Sequence, residues 1–154
     1  MSQIEQRLQA LGYSLPDPPA AAGNYLPFRQ SGNQLFLAGV LPLQDGALSH
    51  TGAVGADQDE QSGYAAARIC ALNALANIKA AAGSLDRISK VLLVNGFVNA
   101  VPGFSNSPKV INGASDFLVE VLGEAGKHAR AAVSVSGLPM NATVELQITV
   151  ELTD

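Results

Sequence analysis

The chain has 154 residues, a formal net charge of -4 and a pI near 5.0. Its nine Lys and Arg residues are scattered, which excludes the clustered basic face that phosphate binding needs. Its single cysteine, Cys70, excludes a disulfide framework and a cysteine-only metal cluster within one chain.

The length fits one domain, 1–154, in which residues 1–23 form an N-terminal helix and an extended connector. The N-terminus is polar and mixed in charge, and no stretch reaches the apolar length of a membrane span. With one cysteine, this places the protein in the cytoplasm, away from membranes. Charged residues make up only 14% of the chain, against roughly 25% in an average soluble domain. Either self-association covers part of the surface, the reading favoured here, or an Ala-rich and Gly-rich composition simply dilutes the charge.

In chain order, Ser2 to Leu11 reads as a short helix, with Ser2 as N-cap, Glu5 at the capping-box position and Gly12 as the stop. Pro16 to Gly23 is an extended connector. Asn24 to Gln30 and Gln34 to Leu41 read as two strands around the turn Ser31-Gly32-Asn33, the second apolar enough to be buried on both faces. Gly46 to Gly55 reads as a loop. Asp59 to Ala82 is the longest helix, its stripe drawn through Ala65, Ile69, Leu72, Leu75, Ala76 and Ile78, with Gly83 ending it. Ile88 to Val98 is another buried strand, Pro102 to Pro108 a loop and Lys109 to Leu122 a second long helix. Arg130 to Ser136 and Thr143 to Leu152 are the last two strands.

The order β-β-α-β-α-β-β, with an extra leading helix, builds an α+β domain: a mixed sheet with two helices on one face. A second copy of the chain is the natural cover for the other face. Cys70 reads as core packing. His50 and His128 lack ligand-spaced companions, so no metal site is expected.

Alternation along the last two strands puts Arg130 and Glu145 on polar faces. A simple hairpin would set Arg130 opposite Thr149 and Glu145 opposite Ser134, an offset of roughly 13 Å. Either one ligand spans that gap, or the two residues serve sites in different subunits. Ordinary solvated strand positions are the plain alternative.

The segment from His128-Ala129-Arg130 through Gly137-Leu138-Pro139 to Thr143-Val144-Glu145-Leu146 resembles the signature of the YjgF/Rid family. These are enamine/imine deaminases and their relatives, also labelled L-PSP endoribonucleases or translation-initiation inhibitors. The resemblance runs from about Asn24 to the end. Asn24-Tyr25 resembles the family's tyrosine-bearing first strand, Leu35 to Pro42 its glycine-bearing strand, and Ile111-Asn112-Gly113 its second helix. The leading helix and the Gly23-Asn24-Tyr25 approach resemble a longer-N-terminus subfamily.

The resemblance implies a chorismate-mutase-like, YjgF-like fold and a homotrimer with clefts between subunits. Arg130 would hold a substrate carboxylate and Glu145 would activate water, while Tyr25, Ala38, Gly39 and Asn112 would line the pocket. Substrates would be small carboxylates, 2-imino acids hydrolysed to 2-oxo acids and ammonia. No metal or cofactor is called for. The family's Ser-Gly-Gln reads Ala38-Gly39-Val40 here, and its thiol position two beyond the arginine is Ala132. Those losses favour a non-catalytic carboxylate-binding module as the alternative. An endoribonuclease or translation inhibitor ranks third, because the chain is acidic and has no basic patch.

Overall fold

The computed structural model describes residues 1–154. Ten principal elements follow one another: α1 (Gln3–Ala10), β1 (Phe28–Ser31), β2 (Gln34–Leu37), β3 (Leu43–Gln44), β4 (Ala47–Leu48), α2 (Glu60–Ala82), β5 (Ile88–Asn99), α3 (Ser107–Leu122), β6 (Ala129–Val135) and β7 (Val144–Leu152). Five strands form a mixed sheet in the order β1-β2-β7-β5-β6. The expected α+β architecture is found.

The last two strands are not a hairpin. β7 runs antiparallel between β2 and β5, and β6 pairs in parallel with β5 at the sheet edge. The parallel pair is reached through the α3 crossover, as parallel strands require. Pro139-Met140, the centre of the expected hairpin, lies in a 3-10 turn over Pro139–Asn141.

β2 is shorter than expected and one-sided. Leu35 and Leu37 are buried, whereas Phe36 is exposed. The ladder with β7 steps from Phe36–Thr149 to Val40–Leu146, so four residues on one strand answer three on the other and Ala38-Gly39 bulges. β5 is also more open than expected, with Leu93 exposed. The small hairpin β3–β4 runs from Leu43 into the start of the expected Gly46–Gly55 loop. Its turn is Asp45-Gly46, both at positive φ, the turn type that dipeptide favours.

α2 and α3 lie against one sheet face. The deepest stripe of α2 consists of Gly63, Ala66, Ala67, Cys70, Ala71, Ala74, Leu75 and Ile78. Ala65, Ile69 and Leu72 of the expected stripe are only half-buried, since small residues win the inner face by letting the helix approach closely. At Gly113 of α3 an added Cβ would collide with the Tyr64 carbonyl, so only glycine fits that crossing. Phe117, Ile111, Leu118, Leu146 and Ile148 fill the space between the layers, each such side chain contributing about 1.5–3 kcal/mol by burial.

α1 forms as expected. The Ser2 hydroxyl accepts from the Glu5 N–H at 3.1 Å, and the Glu5 carboxylate accepts from the Ser2 N–H at 2.9 Å. The helix is tied down by Asp86, which accepts the N–H groups of Gln3 and Ile4, and by the Glu5–Lys79 ion pair. No helix is long and apolar enough to cross a membrane.

Opposite the helices the sheet face is open. Register places Phe36, Thr149 and Leu93 in one row, and Glu145, Phe97 and Val133 in another. Phe36, Leu93 and Val133 are 44%, 38% and 46% exposed.

Candidate functional site

Arg130 lies on the helix side of edge strand β6, in the row of Val94 and Ile148. Its Nη1 donates to Asn112 Oδ1 at 2.7 Å and to Ser115 Oγ at 3.1 Å; its Nη2 donates to the Pro108 carbonyl at 3.4 Å. Asn112 and Ser115 stand three residues apart on α3 and so share one helix face. A further link fixes Ser115. His128 Nδ1 donates to the Gly126 carbonyl at 2.6 Å, and its Nε2 is hydrogen-bonded to the Ser115 hydroxyl at 2.9 Å. No carboxylate of the chain pairs with Arg130. Its Nε and one Nη2 hydrogen stay free, and together they suit a two-pronged bond to a carboxylate.

Glu145 lies on the opposite sheet face, in the row of Phe97 and Val133. It is half-buried, its carboxylate hydrogen-bonds to no other residue, and burial pushes its carboxyl above the ordinary 4.5. Its carboxylate rests against Gly39: an added Cβ there would stand 2.9 Å from Oε2 and 3.0 Å from Cδ. In the bulge, the Ala38 N–H donates to the Pro27 carbonyl and the Val40 N–H to the Leu146 carbonyl, leaving the Gly39 N–H without a partner. Glu145 therefore sits beside one free backbone donor.

Tyr25 is not on a strand. It falls in the bend before Pro27, half exposed, and its hydroxyl accepts from the Ala22 N–H at 3.1 Å. With Ala38, Gly39, Val40 and connector residues it lines a cavity of about 90 Å³. A roomier groove of about 500 Å³ separates α1 from α2. Its charged pair, Glu5 and Lys79, is internally satisfied and it holds none of the expected residues, so it is not the candidate site.

The expected residues thus form two clusters. Arg130 and Asn112 make one, and Glu145, Gly39, Ala38 and Tyr25 the other. Arg130 and Glu145 are two strands and three residues apart, roughly 14 Å between backbones, and point to opposite faces. One small acid cannot touch both in a single chain. Asn112 meets Arg130 directly. Ser115 and His128 complete the arginine's support and were not read as site residues from the sequence. The i, i+3 spacing of Asn112 and Ser115 and the nearness of His128 to Arg130 were the available signals. Ala132 shares the face of Arg130 and offers it no polar group. Cys70 is fully buried, its thiol donating to the Val144 carbonyl at 3.7 Å, and desolvation pushes its pKa well up, which leaves it inert at neutral pH. No group of three or more His, Cys, Asp or Glu residues is placed to hold a metal.

The comparisons agree with this architecture. The family model described as "YjgF/chorismate mutase-like, putative endoribonuclease" matches residues 5–152. The chain is 44% identical to Protein TCP17 of Trypanosoma cruzi over 151 residues, covering 97% of this chain and 94% of that one. It resembles the solved structure of Atu1372 from Agrobacterium tumefaciens, described as of unknown function, at 48% identity and a TM-score of 0.92, covering 97% and 92% of the two chains. A structure from Shewanella oneidensis described as a "putative endoribonuclease" matches at 39% identity and a TM-score of 0.95, covering 98% of this chain and all of that one. The chain belongs to the YjgF/Rid family.

Proposed function

We propose that copies of this chain assemble as a trimer whose clefts hydrolyse small 2-imino acids to 2-oxo acids and ammonia. The observation that carries the reading is the split site: an arginine with its carboxylate-binding edge free, and a half-buried glutamate on the other sheet face. Joining the β6 edge of one copy to the open sheet face of the next brings Arg130 of one to Glu145 of the other. The exposed Phe36, Leu93 and Val133 supply apolar area for that joint.

In such a cleft the arginine clamps the carboxylate and fixes the imine carbon beside Glu145. Glu145 takes a proton from water as the water oxygen bonds to that carbon, and passes this proton to the nitrogen, whose π-bond to carbon opens. The tetrahedral adduct then collapses: the hydroxyl proton moves by way of Glu145 to the amino nitrogen, the C–N bond breaks, ammonia leaves and the carbonyl forms. The free Gly39 N–H is available to the substrate's polar end. The imine carbon is already electrophilic, so the scheme needs no metal or cofactor.

A second reading, a carboxylate-binding module without turnover, is favoured by Ala38, Val40 and Ala132, which put methyl and isopropyl groups where water would be steered. Ammonia release from freshly generated 2-iminobutyrate, with 2-oxobutyrate binding measured by calorimetry, separates the two. Arg130→Ala should abolish binding and turnover, and Arg130→Lys should restore only part, because a point charge lacks the fork. Glu145→Gln should keep binding and lose turnover by roughly 10²-fold or more. Binding without turnover in the unaltered protein selects the module. Binding and turnover indifferent to Arg130→Ala would refute the site. RNA binding is expected to be absent at physiological salt, given the net charge of -4.

A further inference from the structure

The inner face of α2 carries two asparagines one turn apart, and they have different fates. Asn73 is 2% exposed and its Nδ2 donates to the Leu41 and Leu43 carbonyls at 3.1 and 2.9 Å. It ties the strand that follows the Gly39 bulge to the helix. Asn77 is 3% exposed and lines the 90 Å³ cavity shared with Tyr25, Ala38 and Gly39. No group of the chain hydrogen-bonds to its side chain, yet neither amide atom is sealed from solvent. The amide therefore keeps its small remaining exposure toward the cavity it lines.

The rest of that wall is apolar. Pro19, Ala21 and Ala22 of the connector form one side, and Leu41, Leu43 and Met140 much of the remainder. A carboxamide only 3% exposed among such groups keeps little of its water and gains from a ligand or an ordered water that bonds it. An alanine, the commonest residue of α2, would have no such gain.

We propose that this cavity receives the side chain of the bound acid, and that the preferred acid carries a short apolar stem ending in an uncharged hydrogen-bonding group, a hydroxyl or an amide, which Asn77 recognises. This rests on the carboxylate reading above. The cavity is small, about 90 Å³, which favours a short side chain. No charged group of the chain lines it, so an ionised tip would enter unpaired. Asn77 can donate and accept, and so suits either neutral tip.

A matched pair of ligands tests this. 4-Hydroxy-2-oxobutanoate and 2-oxopentanoate differ by a hydroxyl in place of a methyl group. Calorimetry on the unaltered protein should show the hydroxy acid binding roughly tenfold or more tightly, because a site built for a hydroxyl leaves its own polar group unpaired with the isostere. Asn77→Leu should remove or reverse that preference and leave the affinity for pyruvate, which has no side chain to reach Asn77, unchanged. Asn77→Ala gives the same reading should leucine overfill the cavity. Equal binding of the pair by the unaltered protein, or a preference that survives both substitutions, overturns the inference while pyruvate binding keeps the carboxylate site. Failure of all three acids to bind overturns both together.

Discussion

Gly39→Ala is the most informative single change. Gly39 is not at positive φ, so glycine is required there by close approach and not by backbone conformation. The new methyl would stand 2.9 Å from Glu145 Oε2, 3.0 Å from Cδ and 3.3 Å from Cγ. Ordinary contact begins near 3.4 Å, so the carboxylate must retreat by about 0.5 Å, the difference between 3.4 and 2.9. The clash falls on the free end of a flexible side chain, and the fold can absorb it. Stability should stay level or rise by about 0.4–1 kcal/mol, because alanine restricts the unfolded chain. Imine hydrolysis should fall about tenfold or more, since displacement of the proton acceptor by a fraction of an ångström is costly. Thermal unfolding and ammonia release, measured on the same preparation, should therefore move in different directions. Full activity, or a variant that fails to fold, would refute the placement of Glu145 against Gly39 as the catalytic arrangement.

Three further outcomes follow from the geometry. Asn112→Ala removes the acceptor at 2.7 Å from Arg130 Nη1 and should weaken 2-oxo acid binding about tenfold with the melting temperature nearly kept; unchanged binding would contradict the orienting role. Burial raises the Glu145 pKa, so its neutral form is the one the fold favours, and this contribution is full below the ordinary 4.5 and lost as pH rises through the raised value. The stability of Glu145→Gln relative to the unaltered protein should therefore improve from about pH 4 to about pH 8, and a flat difference would contradict it. Glu5 behaves oppositely: hydrogen bonding to Lys79 and to the Ser2 N–H holds its pKa at about 2. Its stabilisation is present above 4.5 and fades as pH falls toward 2, and with Lys79 partly exposed it should amount to about 1 kcal/mol or less. Chemical denaturation of Glu5→Gln beside the unaltered protein across that range checks this.

Much of the fold was legible because local chemistry dictates it. The Ser2–Glu5 capping box, the Asp59 cap and the left-handed Gly83 bound their helices where the sequence placed them. Pairing was less legible. Alternation shows which residues of β6 and β7 share a face but not which strand lies beside which, and the insertion of β7 between β2 and β5 is a tertiary choice. A β6–β7 hairpin would set Arg130 and Glu145 on the same face, whereas the register puts them on opposite ones. Asp45-Gly46 is a strong hairpin signal, but strands only two residues long carry no alternation that would mark them as strands. Asn77 was hidden for a different reason: an isolated asparagine in an alanine-rich helix looks like a surface residue until the packing shows it on the buried face.

In the proposed assembly, Arg130 and Glu145 of one chain serve different clefts. Arg130→Ala and Glu145→Gln, each inactive alone, can be co-expressed in equal amounts and the mixed assemblies purified by two distinct tags. If each cleft takes its arginine from one copy and its glutamate from the next, every mixed trimer regains both residues in one of its three clefts, and imine hydrolysis should recover to about a third of the unaltered rate. Mixed assemblies no more active than the two variants apart would contradict the shared cleft.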